Sequence, residues 1–431
     1  MQVTITADQE AKQLTITVTD VNWEEIQGGS FYQGEQQVQH LLTRIGHDLT
    51  RQLLAGKVTR PPSLQHAGQR WYRKADSPGQ SLTLYGPIRV SRPTYQTSSG
   101  GETFCPLEAD CQLACGAATP LLAEIVSFKL SALTAREVQQ DLAKTHGLAL
   151  SASFLQQTAQ RVGAVAVDKA TTWQLSDRES AQDVAVIATG LDGTTLPLVD
   201  EDYKEAMCGT LALYDETGER LTTEYLGALP EAGKRTFTEL FTTRVSAMRT
   251  RYPQALHVVL ADGALWNWQL LEGHYPEAVA VLDCYHAAQH LAAAADVLCG
   301  STPSAQNTAW YERWRTVLRD DLDGVAQVIR TLISHRNRAP LAEAAAQTLD
   351  TELQYFRRNA DKMRYALYRA AGLPIGSGVT EAGCKELIKA RFCRSGMRWK
   401  RETAAPILHL RAIRLSQQWD RFWKKVLRYA A

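Results

Sequence analysis

Strict alternation of apolar and polar residues in "QVTITADQEAKQLTITVTD" (2–20) predicts a β-hairpin, and helical spacing in "EQQVQHLLTRIGHDLTRQLL" (35–54) predicts one helix after it. "QSLTLYGPIRVSRPTYQT" (80–97) returns to strand chemistry around a Gly-Pro turn, and "SSGGET" (98–103) reads as a loop. Residues 1–117 are therefore expected to form a β-rich N-terminal domain. Over 118–180 the period becomes helical. Thr134 and Gly147 bracket one helix, Ser151 or Ser153 caps a second, and Val138, Leu142, Leu148 and Leu155 supply an apolar seam between them. That spacing suits a helix-turn-helix with Gln156, Gln157, Gln160 and Arg161 outward on the second helix, where glutamine can pair with adenine in a major groove. A plain helical hairpin packed on the core satisfies the same pattern.

From 183 the pattern is that of a mixed sheet. "VAVIATGLDGTTLPLV" reads as a strand and "AMCGTLALYDETGERLTTEYLGAL" as a hairpin turning at "DETGE". "KRTFTELFTTRVSAMRTRY" is a helix, "ALHVVLADG" a buried strand, and a short helix and the strand "AVAVLD" follow. The expected order over 181–283 is three antiparallel strands, a helix, a strand, a helix and a strand. Residues 284–372 are helical throughout, with breaks near "GSTPSAQNT" and "HRNRAP". Residues 373–431 carry "GLPIGSG", a helix beginning near Glu381, and a last basic helix. The fold class expected is α+β multidomain.

At 431 residues, 45% hydrophobic and 22% charged, the chain is long enough for two or three domains and has the composition of a soluble globular protein. No apolar run reaches the length of a membrane span and the start lacks a signal peptide's apolar core, so a cytoplasmic location is expected. Eight cysteines without a regular framework suit a reducing compartment; Cys105, Cys111 and Cys115 do not follow a usual zinc spacing. The net charge of +1 conceals an asymmetry: from 381 onward there are thirteen Lys or Arg against four Asp or Glu, a net of +9, so the rest of the chain carries about −8. A basic segment on a mildly acidic body points to nucleic acid, although a solvated helical face has the same composition.

Three acids stand at positions that matter in such a sheet. Asp192 lies on the first strand, Asp262 closes the fourth, and the two strands can lie side by side, bringing both aspartates to one edge of the sheet. Converging acids need a cation to stay ionised, and magnesium takes one or two carboxylates together with phosphate oxygens. Glu381 supplies a third acid on a helix whose strip of Cys384 and Ile388 can pack beside the strands. Two ions about 3.5–4 Å apart suit in-line phosphoryl transfer. Each acid also has a plainer reading: Asp-Gly is a common turn pair, and Glu381 can pair with Lys385 along a helix. His286 and His290, four apart, lack a third zinc ligand nearby and read as well as core histidines; Trp310 and Trp314 read as helical-domain core.

The strand-and-helix order with Asp, Asp and Glu resembles the RNase H-like fold of DDE transposases. "GSGVTEAGCKELIKARFCRSGMRW" (376–399) resembles the third-acid region of the ISKra/ISLre group of bacterial insertion-sequence transposases, and Asp283-x-x-His286 is similar to the D/C-x-x-H element of Mutator-like and hAT-like transposases, after which an all-helical insertion follows. The 119 residues from Asp262 to Glu381, against 70 between the aspartates, leave room for one. The resemblance covers about 185–415 and, more loosely, the helix pair before it; residues 1–110 carry no family signal. It implies a catalytic set of Asp192, Asp262 and Glu381 with His286 beside the scissile phosphate, and two Mg²⁺ (or Mn²⁺) ions on the three acids. It implies duplex DNA as partner, both transposon ends and target, and a homo-oligomer associated with the nucleoid when DNA-bound. Lys385, Lys389, Arg391, Arg394, Arg398, Lys400 and Arg401 are expected on the DNA backbone. Two rivals stay open: a transposase-derived regulator that binds without cutting, and a metal-dependent nuclease that cuts without joining.

Overall fold

The computed structural model describes residues 2–8, 13–21, 27–174, 183–300, 304–338 and 341–430. It is a mixed α+β chain with three separate sheets, and among the described residues no helix is long and apolar enough to cross a membrane. Two compact units emerge, Met1–Ala166 with Trp419–Ala431, and Val167–Gln418.

In the first unit, β1 (Gln2–Asp8) and β2 (Gln13–Thr19) pair antiparallel, as the alternation predicts, and α1 (Phe31–Gly56) follows. A second sheet has the order β3 (Ser63–His66), β4 (Gln69–Thr83), β5 (Gly86–Thr97). Short helices α2 (Pro106–Asp110) and α3 (Pro120–Leu130) lead to α4 (Ala135–His146) and α5 (Ala152–Asp168). Thr134 and Glu137 form a capping box on α4, Gly147 ends it in the left-handed conformation at φ 66°, and Ser151 Oγ accepts the Phe154 N–H. Val138, Leu142, Leu148 and Leu155 are all buried in the seam expected of them.

The sequence assigns the C-terminal helix to the same domain as Glu381; instead α15 (Trp419–Ala430) belongs to the first unit. Trp419 meets Phe128 of α3 edge-on at 5.0 Å, and Gln112 Nε2 donates to the Leu427 carbonyl at 2.6 Å. An amphipathic helix goes where its apolar face finds cover, which charge counting along the chain does not reveal.

The second unit holds β6 (Val186–Leu198), β7 (Asp202–Tyr214), β8 (Arg220–Ala228), α6 (Arg235–Arg251), β9 (Leu256–Ala261), α7 (Leu265–His274) and β10 (Val279–Leu282), in the predicted order. The sheet runs β10-β9-β6-β7-β8. β7 is antiparallel to both neighbours, whereas β6, β9 and β10 are mutually parallel. The helical segment consists of α8 (Cys284–Cys299), α9 (Ala305–Asp320), α10 (Gly324–Arg338), α11 (Glu343–Asn359) and α12 (Tyr365–Ala370); its predicted breaks fall partly on 301–303 and 339–340, outside the described residues. It shares one apolar core with the sheet: Leu291, Leu332 and Phe356 pack in the same cluster as Ile187, Val258 and Val281. Trp310 and Trp314 lie against that core, 6.1 Å apart.

The chain then returns through α13 (Gly378–Gly383), continues as a π-helical turn over Cys384–Lys389 and a short α-turn over Ala390–Phe392, and ends this unit with α14 (Arg401–Leu415). α13 lies close on β6 and β7. A Cβ added at Gly190 would stand 2.2 Å from Thr380 Oγ1, so only glycine admits the helix there. Thr380 Oγ1 in turn shares a hydrogen bond of 2.7 Å with Thr210 Oγ1 of β7.

Candidate active site

Side chains two apart on a strand share a face, and neighbouring strands in register set their side chains level. Gly190 pairs with Leu260, and Ala261 with Leu282. Continuing that register by two residues sets Asp192 level with Asp262, and by one sets Asp262 level with Asp283. Three aspartates thus line up where three parallel strands end. The sequence expectation of one edge needs correcting: β6 is the central strand, flanked by β9 and β7, so the convergence is in mid-sheet. Because Gly190 faces α13, Asp192 two residues on faces it too.

Asp192 is half-buried. Its Oδ1 accepts the Gly193 N–H at 2.7 Å and its Oδ2 accepts the Cys384 thiol at 3.5 Å. Burial pushes its carboxyl up, and the charge of Asp262 adds to that against the pull of the Gly193 amide. Asp262 Oδ1 accepts Asn267 Nδ2 at 2.9 Å and the Ala264 N–H at 3.1 Å, and its carbonyl accepts Trp268 Nε1 at 2.7 Å. Asn267 is buried and also reaches the Leu191 carbonyl at 3.5 Å, so one amide braces both strand ends. Neither Asn267 nor Trp268 was legible as a site residue; an Asn five places after an Asp has no signature.

Asp283 is wholly buried and caps α8. Its Oδ1 accepts the Tyr285 N–H at 3.0 Å; its Oδ2 accepts Ser377 Oγ at 2.7 Å and stands 3.2 Å from His286 Nδ1. Burial pushes this carboxyl up, but the bonds from His286, Ser377 and Tyr285 outweigh it and leave it below its ordinary value. The same bond pushes the His286 imidazole up against its own burial, helped by the charges of Asp283, Asp262 and Glu381. His290 is diverted from any pair with His286: it bonds Glu352 at 2.6 Å and stacks on Tyr355.

Among the described residues, the group whose ligating atoms all lie within 4.8 Å of one another is Asp283, His286 and Glu381, not the predicted Asp192, Asp262 and Glu381. A single ion does not therefore span the predicted three. Two ions sharing one carboxylate place no such demand, since the outer acids then need only reach their own ion. Asp283 already holds three donors and is sealed from solvent, so it suits an outer carboxylate orienting His286 better than a ligand. The fit to a cation rests on Asp192: a half-buried carboxylate pushed up by a neighbouring acid is relieved by positive charge. No group of three includes Cys105, Cys111 or Cys115 among the described residues.

The basic residues separate into two sets. Lys385, Lys389, Arg398 and Lys400 are exposed, and Arg394 is half-buried. Arg391 is 3% exposed, with its guanidinium 4.8 Å over the Trp399 ring, so it is core rather than a phosphate contact. Arg401 is exposed, but its Nε and Nη2 hold Glu201 at 2.7 and 2.6 Å and its Nη1 donates to the Pro230 carbonyl. In the first unit, Gln156, Gln157 and Arg161 are exposed on α5 and Gln160 is half-buried.

No protein-family model matches the chain, and no curated protein matches it.

Proposed function

We propose that the second unit is an RNase H-like catalytic core and that the chain is a DDE transposase of the kind its third-acid region resembles, cutting and joining DNA at transposon ends. The observation that carries this reading is the level register of Asp192 and Asp262 on adjacent parallel strands, with the Glu381 helix packed on the same face. The sheet order, a central β6 between an antiparallel hairpin and two parallel strands, supports the fold assignment, and the helical segment between β10 and α13 supports the insertion.

Asp192, Asp262 and Glu381 are the groups that would hold divalent cations, and Mg²⁺ bound there would stabilise charge on the phosphate under attack. His286 turns its free ring edge to the acids and is the group in reach of a phosphate oxygen. Lys385, Lys389, Arg394, Arg398 and Lys400 would track the phosphate chain; Gln156, Gln157, Gln160 and Arg161 are the candidate base readers.

The test is Mg²⁺-dependent cleavage of a labelled DNA end taken from the sequence flanking the gene, followed by a strand-transfer assay. Cleavage with joining is the expected result. Cleavage alone would replace the proposal with a nuclease, and binding alone with a regulator.

A further inference from the structure

We propose that Asp283 and Ser377 form a latch that positions Glu381 and His286, neither residue of the latch touching metal or substrate; the proposal rests on the metal-binding reading above. Ser377 stands at the N-cap of α13, where a serine hydroxyl ordinarily accepts a backbone N–H of the first turn. Here it makes no such bond. Its hydroxyl donates to Asp283 Oδ2 at 2.7 Å instead, across 94 residues of chain. Its carbonyl accepts the N–H groups of Thr380 at 2.8 Å and Glu381 at 2.9 Å, so the backbone carrying Glu381 hangs from Ser377.

A second bond fixes the same segment: the Cys284 N–H donates to the Ile375 carbonyl at 2.9 Å. Asp283 itself is anchored to the sheet, its N–H donating to the Ala261 carbonyl at 3.0 Å. The segment before Glu381 is therefore pinned at two points to the end of β10, one strand away from Asp262. The other face of the same carboxylate takes His286 Nδ1, which leaves Nε2 toward the acids. One carboxylate with no exposed surface thus sets both a helix start and a ring orientation. A buried charge left short of partners is costly, so the arrangement has little freedom to drift.

The experiment compares full-length wild type, S377A and S377T by Mn²⁺ titration, reading free Mn²⁺ by electron paramagnetic resonance in the absence of DNA. Loss of a partner that orients metal ligands typically weakens metal affinity about 10–100-fold. S377A is expected to fall in that range with its thermal midpoint near wild type, and S377T, which keeps the hydroxyl, to recover. Hydrogen exchange on the metal-free proteins gives a second reading: the Thr380 and Glu381 amides should lose protection in S377A and keep it in S377T. Wild-type Mn²⁺ affinity in S377A overturns the latch. If wild type binds no Mn²⁺, the metal reading fails by itself and exchange decides the latch: unchanged protection in S377A overturns it, and lost protection upholds the positioning of the helix.

Discussion

The Cys384 thiol donates to Asp192 Oδ2 at 3.5 Å, joining the π-helical turn after Glu381 to the strand of the first acid. Cys208 sits opposite Asp192 in the β6–β7 register and shares a hydrogen bond with Cys384. That bond, together with burial, pushes the Cys384 thiol well up, so it stays protonated and unreactive. Iodoacetamide on the native protein should therefore modify the exposed Cys115 and spare Cys208 and Cys384 until denaturant is added. Peptide mass spectrometry reads this directly, and early labelling of Cys384 would contradict the packing of the helix on β6.

Replacing Asp192 or Asp262 with Asn, or Glu381 with Gln, should reduce Mg²⁺-dependent cleavage by about 10²–10³-fold or more, the scale of losing a charge-stabilising group, while end binding persists. A gel-shift assay beside the cleavage assay separates the two. Near-normal cleavage in any one variant removes that residue from the catalytic set.

The pH dependence of metal stabilisation follows from Asp192. Its folded carboxyl is raised, so its contribution to stability is full below the ordinary carboxylate value and is lost as pH rises through the raised one. A cation binds the ionised form and offsets that loss, by about 2.7 kcal/mol at a hundred times Kd. The Mg²⁺-induced rise in thermal midpoint should thus be larger at pH 7 than at pH 4.5. D192N should raise the metal-free midpoint at pH 7 and abolish most of the Mg²⁺ response; an equal response at both pH values would count against the site.

His286 gives a second titration. Its folded value lies above the ordinary 6.5 because of Asp283, so the ion pair contributes fully below pH 6.5 and fades as pH rises through the higher folded value. Imidazole NMR should find a midpoint above 6.5 that drops in D283N. An unmoved midpoint would mean that the ring does not lean on Asp283.

For DNA, the structure sharpens which cations to change. K389A with R398A should flatten the slope of log affinity against log salt by up to about two units, weakening all sequences alike. R401A should leave the slope unchanged, because that guanidinium is held by Glu201. Changing Gln156 or Gln157 to Ala should cost about 1–3 kcal/mol on a cognate end only; equal losses on random DNA would make the α4–α5 pair structural.

Strand order, the first two acids and the helix caps were legible because they depend on period, turn chemistry and chain order, all local. What was not legible depends on partners far away in sequence. Arg391 counted as one more cation until Trp399 covered it, and Ser377 looked like a helix cap until Asp283 took its hydroxyl. The helix after Glu381 was expected to be regular, but Cys384–Lys389 winds wider. Asp283 was visible only through a resemblance, and nothing in its neighbourhood predicted that three donors would converge on it.

The wide turn makes the protein unusually sensitive to length at one place. An α-helix turns by about 100° per residue, and a π-turn accommodates one residue more than an α-turn does. Deleting a single residue between Cys384 and Lys389 would let the segment relax to ordinary pitch. Everything downstream would then be rotated by about a quarter of a revolution relative to Glu381. Arg391 would leave Trp399, Ile388 would leave its buried seat, and the exposed lysines would aim elsewhere, although no acid and no cation had been changed. Gene copies with an in-frame codon loss here are expected to be inactive even when every other position is intact.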